Sequence, residues 1–399
     1  MISNGNPILI KGGQLYTEDK IILNGYMKIK DQKIIELGAV NHLTMEEGFE
    51  VVDIPSHYKV IPGFIDIHIH GVNSADTMDA TKDALHQMAK ALPREGTTSF
   101  LATTITQNTK AIEEALVNVN EFIQTQQPPG KAEVIGIHLE GPFVNPTKAG
   151  AQPLEYIVDP NVENLKKWIE LSGHNIRLVT LAPEQSRGME MIRYLRDNAI
   201  ISSIGHSDAT YEQVIEAINA GANQVTHLFN QMRGIHHREP GVVGAAFLHG
   251  ELKAEIIVDG IHVRPEMVKL AFQQKGKEGL ILITDSMRAK WLANGQYDLG
   301  GQEVTVKEGK AVLEDGTLAG SILKLGEAVK NIQTFTGCSL EDAIVMASAN
   351  PAKQINIFDK KGSLAEGKDA DIVILDESLE VIMTFCRGER AFDQGGLTI

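Results

Sequence analysis

Six side chains that suit a metal ion stand at the C-terminal ends of apolar runs. His68 and His70, in Asp66-Ile67-His68-Ile69-His70-Gly71, are two residues apart, so on a strand both imidazoles point to one side. Two imidazoles so placed can chelate one divalent ion. Glu140 ends another run, in His138-Leu139-Glu140-Gly141-Pro142-Phe143. A carboxylate there is costly unless it is paired or metal-bound. His206 in Ile204-Gly205-His206-Ser207, His227 in Thr226-His227-Leu228-Phe229-Asn230 and Asp285 in Thr284-Asp285-Ser286-Met287 occupy equivalent positions. His138 shares the face of Glu140 but lies one step down the strand, where a hydrogen-bonded core histidine is expected. The set exceeds what one Zn²⁺ requires. Four His, one Glu and one Asp can hold two ions with a bridging carboxylate, and such a pair activates water and polarises a carbonyl. No thiolate takes part, so the expected cofactor is one or two divalent ions per subunit, of the Zn, Fe, Mn or Co type.

Only a fold that gathers distant strand ends on one rim can assemble this set. From Val60 onward, apolar runs alternate with helical patterns. The runs are Phe64–Ile69, Thr98–Thr103, Val134–Leu139, Ile176–Leu181, Ile200–Ile204, Gln224–Leu228, Ala254–Val258 and Leu280–Thr284. Amphipathic segments follow most of them: Ala84–Leu92, Thr109–Gln124, Glu190–Asn198, Tyr211–Ala220 and Pro265–Gln274. Apolar strands separated by helices imply a parallel sheet covered on both faces. Eight such units predict an α/β fold, a (β/α)₈ TIM-like barrel over residues 61–356, with its active site at the C-terminal ends of the strands. An open doubly wound sheet is the alternative, but no Gly-x-Gly-x-x-Gly turn follows an early strand. The polar stretch 124–130, with Pro128-Pro129, is expected as a loop. Both ends of the chain carry short strand-like runs, including Pro7–Ile10, Tyr26–Lys30, Lys33–Glu36, Ala370–Leu375 and Val381–Phe385. Neither end can bury a core alone. Residues 1–60 plus 357–399 are therefore expected to meet in one composite small β domain, a β-sandwich.

The 399 residues carry a formal net charge of −15, which argues against nucleic acid or an anionic membrane surface as partner. An anionic substrate would then need local positive charge from metal ions, Arg or His. The two cysteines, Cys338 and Cys386, lie far apart and are expected as reduced thiols. Met1–Leu9 has no signal-peptide pattern and no apolar stretch is long enough to span a bilayer, so a cytoplasmic location is expected.

At these residues the chain resembles the amidohydrolase superfamily and, more narrowly, the N-acetylglucosamine-6-phosphate deacetylases. The resemblance runs from Pro62-Gly63-Phe64-Ile65-Asp66 through Glu140-Gly141-Pro142-Phe143 and His237-Arg238-Glu239-Pro240-Gly241. It continues through Asp259-Gly260-Ile261-His262 to Leu318-Ala319-Gly320-Ser321. It implies that Glu140, His206 and His227 bind one ion, and that His68 and His70 mark the two-metal branch. Glu140 would be the bridge, with Asp285 beside the first ion. A metal-activated water would attack the acetamide carbonyl, with Asp285 as general base and then general acid. The implied substrate is a small phosphosugar. Arg238, His262 and backbone amides near Asn230 and Gln231 would contact its phosphate; Ala151, Gln152, Leu318, Ala319 and Gly320 would line the rest. The resemblance also implies a homodimer in which Arg238 serves the neighbouring subunit's site. Gln231 stands where a small residue is commoner, Gln152 where some members carry His, and Ser286 where Ala is frequent. The competing readings are another amidohydrolase and a metal-free scaffold on the same fold. The first covers cyclic-amide hydrolases, N-acyl-amino-acid deacylases and N-acetylgalactosamine-6-phosphate deacetylases. A neutral substrate would not need the loop 237–241, and a scaffold should show eroded ligands.

Overall fold

The structure is a computed structural model that describes residues 7–44, 47–125 and 127–395. The end segments 1–6 and 396–399 of the expected β domain, and residue 126 of the expected loop 124–130, lie outside the described residues.

Eight parallel strands pair in chain order: β1 (Phe64–Ile69), β2 (Thr97–Thr103), β3 (Glu133–Glu140), β4 (Ile176–Leu181), β5 (Ile201–Ile204), β6 (Gln224–Val225), β7 (Lys253–Ile257) and β8 (Leu280–Ile283). The circle closes at its C-terminal rim. The Asp285 N–H donates to the His68 carbonyl at 2.8 Å, and the His70 and Gly71 N–H groups donate to the Ser286 carbonyl at 3.0 and 2.9 Å. These bonds seat the first His pair beside Asp285. The sixth strand is shorter than its run predicts. Past Val225 the chain turns out of the sheet, reaching a left-handed φ of 32° at His227.

Outward-facing apolar residues pack under helices. The helices Thr109–Gln124 and Tyr211–Ala220 occupy their predicted spans. Asn108 caps the first by accepting from the Ala111 N–H; Thr210 and Gln213 form a reciprocal capping box at the second. Each cap contributes about 1 kcal/mol. The barrel interior is partly polar. His138 Nε2 lies 2.7 Å from Thr180 Oγ1, which continues through Thr226 to Ser203 at 2.8 and 2.6 Å.

After β8 the chain adds an antiparallel sheet that its sequence did not suggest, Gly295–Leu299, Gln302–Lys307 and Lys310–Val312. Its strands are short and interleaved with exposed charged and polar residues, so their apolar signal is weak. It buries Val304, Val306 and Ala311 with Ile105, Met287 and Ala319 beside the barrel mouth.

Strands from both ends of the chain join in one hydrogen-bonded sheet. The order is Glu389–Asp393, Val381–Cys386, Ile372–Leu375, Glu50–Pro62, Ile8–Tyr16, Gly25–Lys30 and Lys33–Ala39, with Ile21–Leu23 against Ile8–Tyr16. The sheet encloses its own apolar core, including Ile10, Met27, Val52, Ile374 and Phe385. Where it meets the barrel, Lys361 is buried with its Nζ 2.6 Å from Asp371, 2.7 Å from Glu133 and 3.1 Å from Asp369. Cys338 and Cys386 are free thiols. Among the described residues no helix is long and apolar enough to cross a membrane.

Candidate metal centre and cavity

The six ligand candidates converge. His68 lies near the end of β1 and His70 just past it, Glu140 ends β3, His206 and His227 follow β5 and β6, and Asp285 follows β8. His206, His227 and Asp285 all have left-handed backbones, with φ of 46°, 32° and 47°. Such conformations cost of order 1–3 kcal/mol each for non-glycine residues and cluster at functional sites. Here they swing three strand-end side chains back over the barrel axis. Gly141, at φ 67°, lets the chain leave Glu140 tightly; a Cβ there would stand 2.1 Å from Thr106 Oγ1.

Glu140 is the hub. Its Oε1 lies 3.2 Å from His206 Nε2, 3.3 Å from His227 Nε2 and 3.4 Å from His68 Nε2. Its Oε2 lies 3.3 Å from His70 Nε2 and accepts from Gln152 Nε2 at 2.9 Å. Asp285 Oδ1 is 3.2 Å from His70 Nε2 and 3.4 Å from His68 Nε2. Two three-residue groups able to hold an ion lie within these six, His68, His70 and Asp285, and Glu140, His206 and His227; a third joins His68 to His138 and Glu255.

Electrostatics agree. Burial alone would raise Glu140, but His68, His206 and His227 outweigh it and hold the carboxyl well below its ordinary value. Burial also opposes ionisation of Asp285, yet His68 and His70 bring it down to about 2. Burial would lower His70, but hydrogen bonds to Asp285 and Glu140 push it up to about 10. Both carboxylates are thus kept ionised by the rings around them. His68 Nε2 is buried without a hydrogen-bond partner, and His206 and His227 set their Nε2 atoms 3.1 Å apart. Converging imidazole nitrogens and carboxylate oxygens, with no thiolate, fit a divalent cation.

His138 is different. Its Nδ1 faces the Ile67 carbonyl at 3.1 Å and its Nε2 faces Thr180, so both nitrogens are spent. Burial, reinforced by His68, holds it well below its ordinary value. It is the hydrogen-bonded core histidine expected from its position.

A cavity of about 240 Å³ opens over the cluster. Of the residues expected near substrate, Ala151, Gln152, Asn230, Gln231, His262, Leu318 and Gly320 line it. His262 is held by Asp259, whose Oδ2 lies 2.6 Å from Nδ1. Burial opposes ionisation of Asp259, but His262 outweighs it and holds the carboxyl low.

Three of the expected residues are engaged elsewhere in the chain. Ala319 is buried in the core of the antiparallel insertion, and its N–H is spent on the Ala311 carbonyl. Arg238 is exposed on its loop, with Nη1 2.7 Å from His237 Nε2, and does not line the cavity of its own chain. Gln152 reaches the cavity wall, but its side chain is engaged by protein at both ends: Oε1 accepts from the Thr106 N–H at 2.8 Å, and Nε2 donates to Glu140. It steadies the hub rather than offering a free amide to a sugar. Sequence reading missed Ile105, Leu299 and Thr317 on the wall. Leu299 and Thr317 belong to the insertion and its return segment, and Ile105 lies in the loop after β2; none carries a chemical signal. Gly150, at φ 57°, lets Gln231 lie close, since a Cβ there would stand 2.7 Å from the Gln231 side chain.

A closed β/α barrel with four imidazoles and two carboxylates at its mouth defines a metal-dependent hydrolase. The amidohydrolase family model matches residues 59–391. An N-acetylglucosamine-6-phosphate deacetylase of Bacillus subtilis is 50% identical over 96% of this chain and 97% of its own. An N-acetylgalactosamine-6-phosphate deacetylase of Escherichia coli O157:H7 is 35% identical over 96% and 99%. The solved structure of a mutant N-acetyl-D-glucosamine-6-phosphate deacetylase of Mycobacterium smegmatis, in complex with N-acetyl-D-glucosamine-6-phosphate, superposes with a TM-score of 0.90. It is 28% identical and covers 97% of this chain and 100% of its own. The chain belongs to the amidohydrolase family.

Proposed function

We propose that this chain hydrolyses the N-acetyl group of N-acetyl-D-glucosamine 6-phosphate to give D-glucosamine 6-phosphate and acetate, in amino-sugar catabolism and cell-wall sugar recycling. The observation that carries the reading is the cavity floor, where Glu140, in contact with His68 and His70 as well as His206 and His227, and Asp285 face the same small space. The Bacillus subtilis relative and the Mycobacterium smegmatis complex support the choice of substrate.

His68, His70 and Asp285 would hold one ion, and Glu140, His206 and His227 another. A divalent ion there lowers the pKa of water and polarises the amide carbonyl. Asp285, ionised and directed over the cluster, takes a proton from the attacking water and returns it to the departing nitrogen. Without the second transfer the C–N bond would have to release an amide anion. Glu140 is kept ionised and fixed by Gln152. His262, with Nδ1 turned to Asp259, presents its other nitrogen for a phosphate oxygen, together with the backbone amide of Gln231; the Asn230 N–H is spent on the His227 carbonyl. Arg238 serves the cavity of a second copy in a homodimer; the exposed Ile235 in the same loop, 54% accessible, supports a contact surface there. Residues 1–60 with 357–399 form a composite β domain and 61–356 the hydrolase barrel, a division supported by their separate apolar cores. The protein works in the cytoplasm.

The test is acetate release from N-acetylglucosamine and N-acetylgalactosamine, each with and without the 6-phosphate, alongside metal quantification. Preference for the phosphorylated glucosamine epimer is expected. Turnover of the galactosamine epimer alone would favour the activity named for the Escherichia coli relative, and no acetate from either phosphosugar would sink the proposal.

A further inference from the structure

We propose that Glu255 is a positioning residue for the metal centre: it locks the ring of His68 so that Nε2, and not Nδ1, is offered to the ion. The inference rests on the reading that His68 binds metal. Glu255 lies in β7, fully buried inside the barrel, and is 187 residues from His68 in the chain. Its Oε2 stands 2.9 Å from His68 Nδ1. Its Oε1 accepts from Gln224 Nε2 at 2.7 Å, and Oε2 also receives the His227 backbone N–H at 3.3 Å. Among the described residues its one ion-pair partner is His68. A wholly buried carboxylate with no Lys or Arg beside it is costly unless a neighbouring positive charge offsets it. His138 cannot supply that charge. It packs edge-on to His68, with ring centroids 4.4 Å apart and both nitrogens committed elsewhere, so it braces the ring sideways only.

With the Nδ1 proton donated to Glu255, the lone pair of His68 Nε2 faces Glu140 Oε1 and Asp285 Oδ1, each 3.4 Å away. The other three imidazoles are held differently. His206 Nδ1 faces the Lys148 carbonyl at 2.8 Å, while the Nδ1 atoms of His70 and His227 are buried without partners. Among the described residues, His68 is the one of these four imidazoles with a carboxylate hydrogen-bonded at Nδ1. A carboxylate behind a ligating imidazole fixes tautomer and ring plane and raises ligand basicity; removing it typically weakens metal binding about 10- to 100-fold.

The experiment compares wild type with E255L, E255Q and E255D. Each is stripped by chelator and titrated with Co²⁺, with absorbance reporting coordination and a competing chelator reporting affinity; melting of the metal-free protein is followed in parallel. In E255L the Co²⁺ position that includes His68 should lose about 10- to 100-fold in affinity with a changed spectrum, while the metal-free melt stays level or rises. E255Q, whose amide oxygen still accepts from Nδ1–H, should recover most of that loss. E255D, whose carboxylate is withdrawn by one methylene, keeps the charge and should behave like E255L, so it carries the test if the leucine variant does not fold. Wild-type affinity and spectrum in E255L or E255D, or E255Q no better than E255L, would overturn the proposal. A wild-type protein that binds no Co²⁺ at all would instead remove the metal reading beneath it.

Discussion

Two buried clusters of charge differ in what they leave unsatisfied. At the junction of barrel and β sheet, Lys361 is surrounded by Asp371, Glu133 and Asp369, and each close contact joins opposite charges. Burial alone would lower Lys361, but the three carboxylates hold it well above its ordinary value. At the barrel mouth, four imidazoles crowd two carboxylates, two Nε2 atoms face one another, and His68 Nε2 has no hydrogen-bond partner. Both clusters are desolvated, yet the carboxylates of the first have their cation, Lys361, within the chain, even where Glu133 Oε2 makes no hydrogen bond, and those of the second have only imidazoles. A buried polar cluster that the protein completes itself is structural; one it leaves open points to a ligand.

Removing the ligand should separate the clusters most sharply. Exhaustive chelation should abolish acetate release, and added divalent ion should restore it, while circular dichroism shows the fold retained. Activity in a demetallated sample would erase the contrast. Next, Asp285→Asn should lose about 10²- to 10⁴-fold in kcat, the usual worth of a general acid–base, while still binding metal. Near-normal kcat would remove Asp285 from proton transfer.

The junction should respond in stability instead. Lys361→Met leaves buried carboxylates without their cation and should cost about 3–5 kcal/mol in denaturant unfolding, with metal content per folded chain unchanged. An unchanged midpoint would mean the cluster does not hold the two parts together. On the exposed loop proposed to serve a second copy's cavity, Arg238→Ala should raise KM for the phosphorylated sugar about tenfold or more, with little change for the free sugar. Equal effects on both would exclude a phosphate contact.

The smallest effect is acidic. Burial alone would raise Asp369, but Lys361 and Lys33 outweigh it and hold its carboxyl below 3.8, the ordinary value. A lowered folded value means stability that is complete above about pH 4 and lost as pH falls through the folded pKa. Unfolding midpoints of wild type and Lys361→Met should therefore converge below pH 4. A constant gap down to pH 2 would exclude Asp369 as its source.

Much of the barrel was legible because apolar runs and amphipathic helices repeat with their own periods. The spans of Thr109–Gln124 and Tyr211–Ala220 follow from that repetition and from their caps. The helix Val162–Leu171 shows the same spacing in Val162, Leu165, Trp168 and Ile169, yet its short run did not stand out. In the insertion 295–312 the alternation is confined to Val304 and Val306 of Gln302–Lys307, a run too short to stand out, and the segment packs on Ile105 and Met287.

The sequence by itself determined which side chains could ligate a cation, because residue type and strand-end position are local properties. It also determined the alternation that builds a barrel. Tertiary structure decided the rest. Closure of β1 against Asp285–Ser286 made six distant residues one cluster, left-handed backbones at His206, His227 and Asp285 aimed three of them, and Glu255 arrived behind His68 from 187 residues away. It also turned Gln152 toward Glu140 and left Arg238 outside its own cavity. Contacts of this kind depend on distances across the folded chain, and no local pattern encodes them.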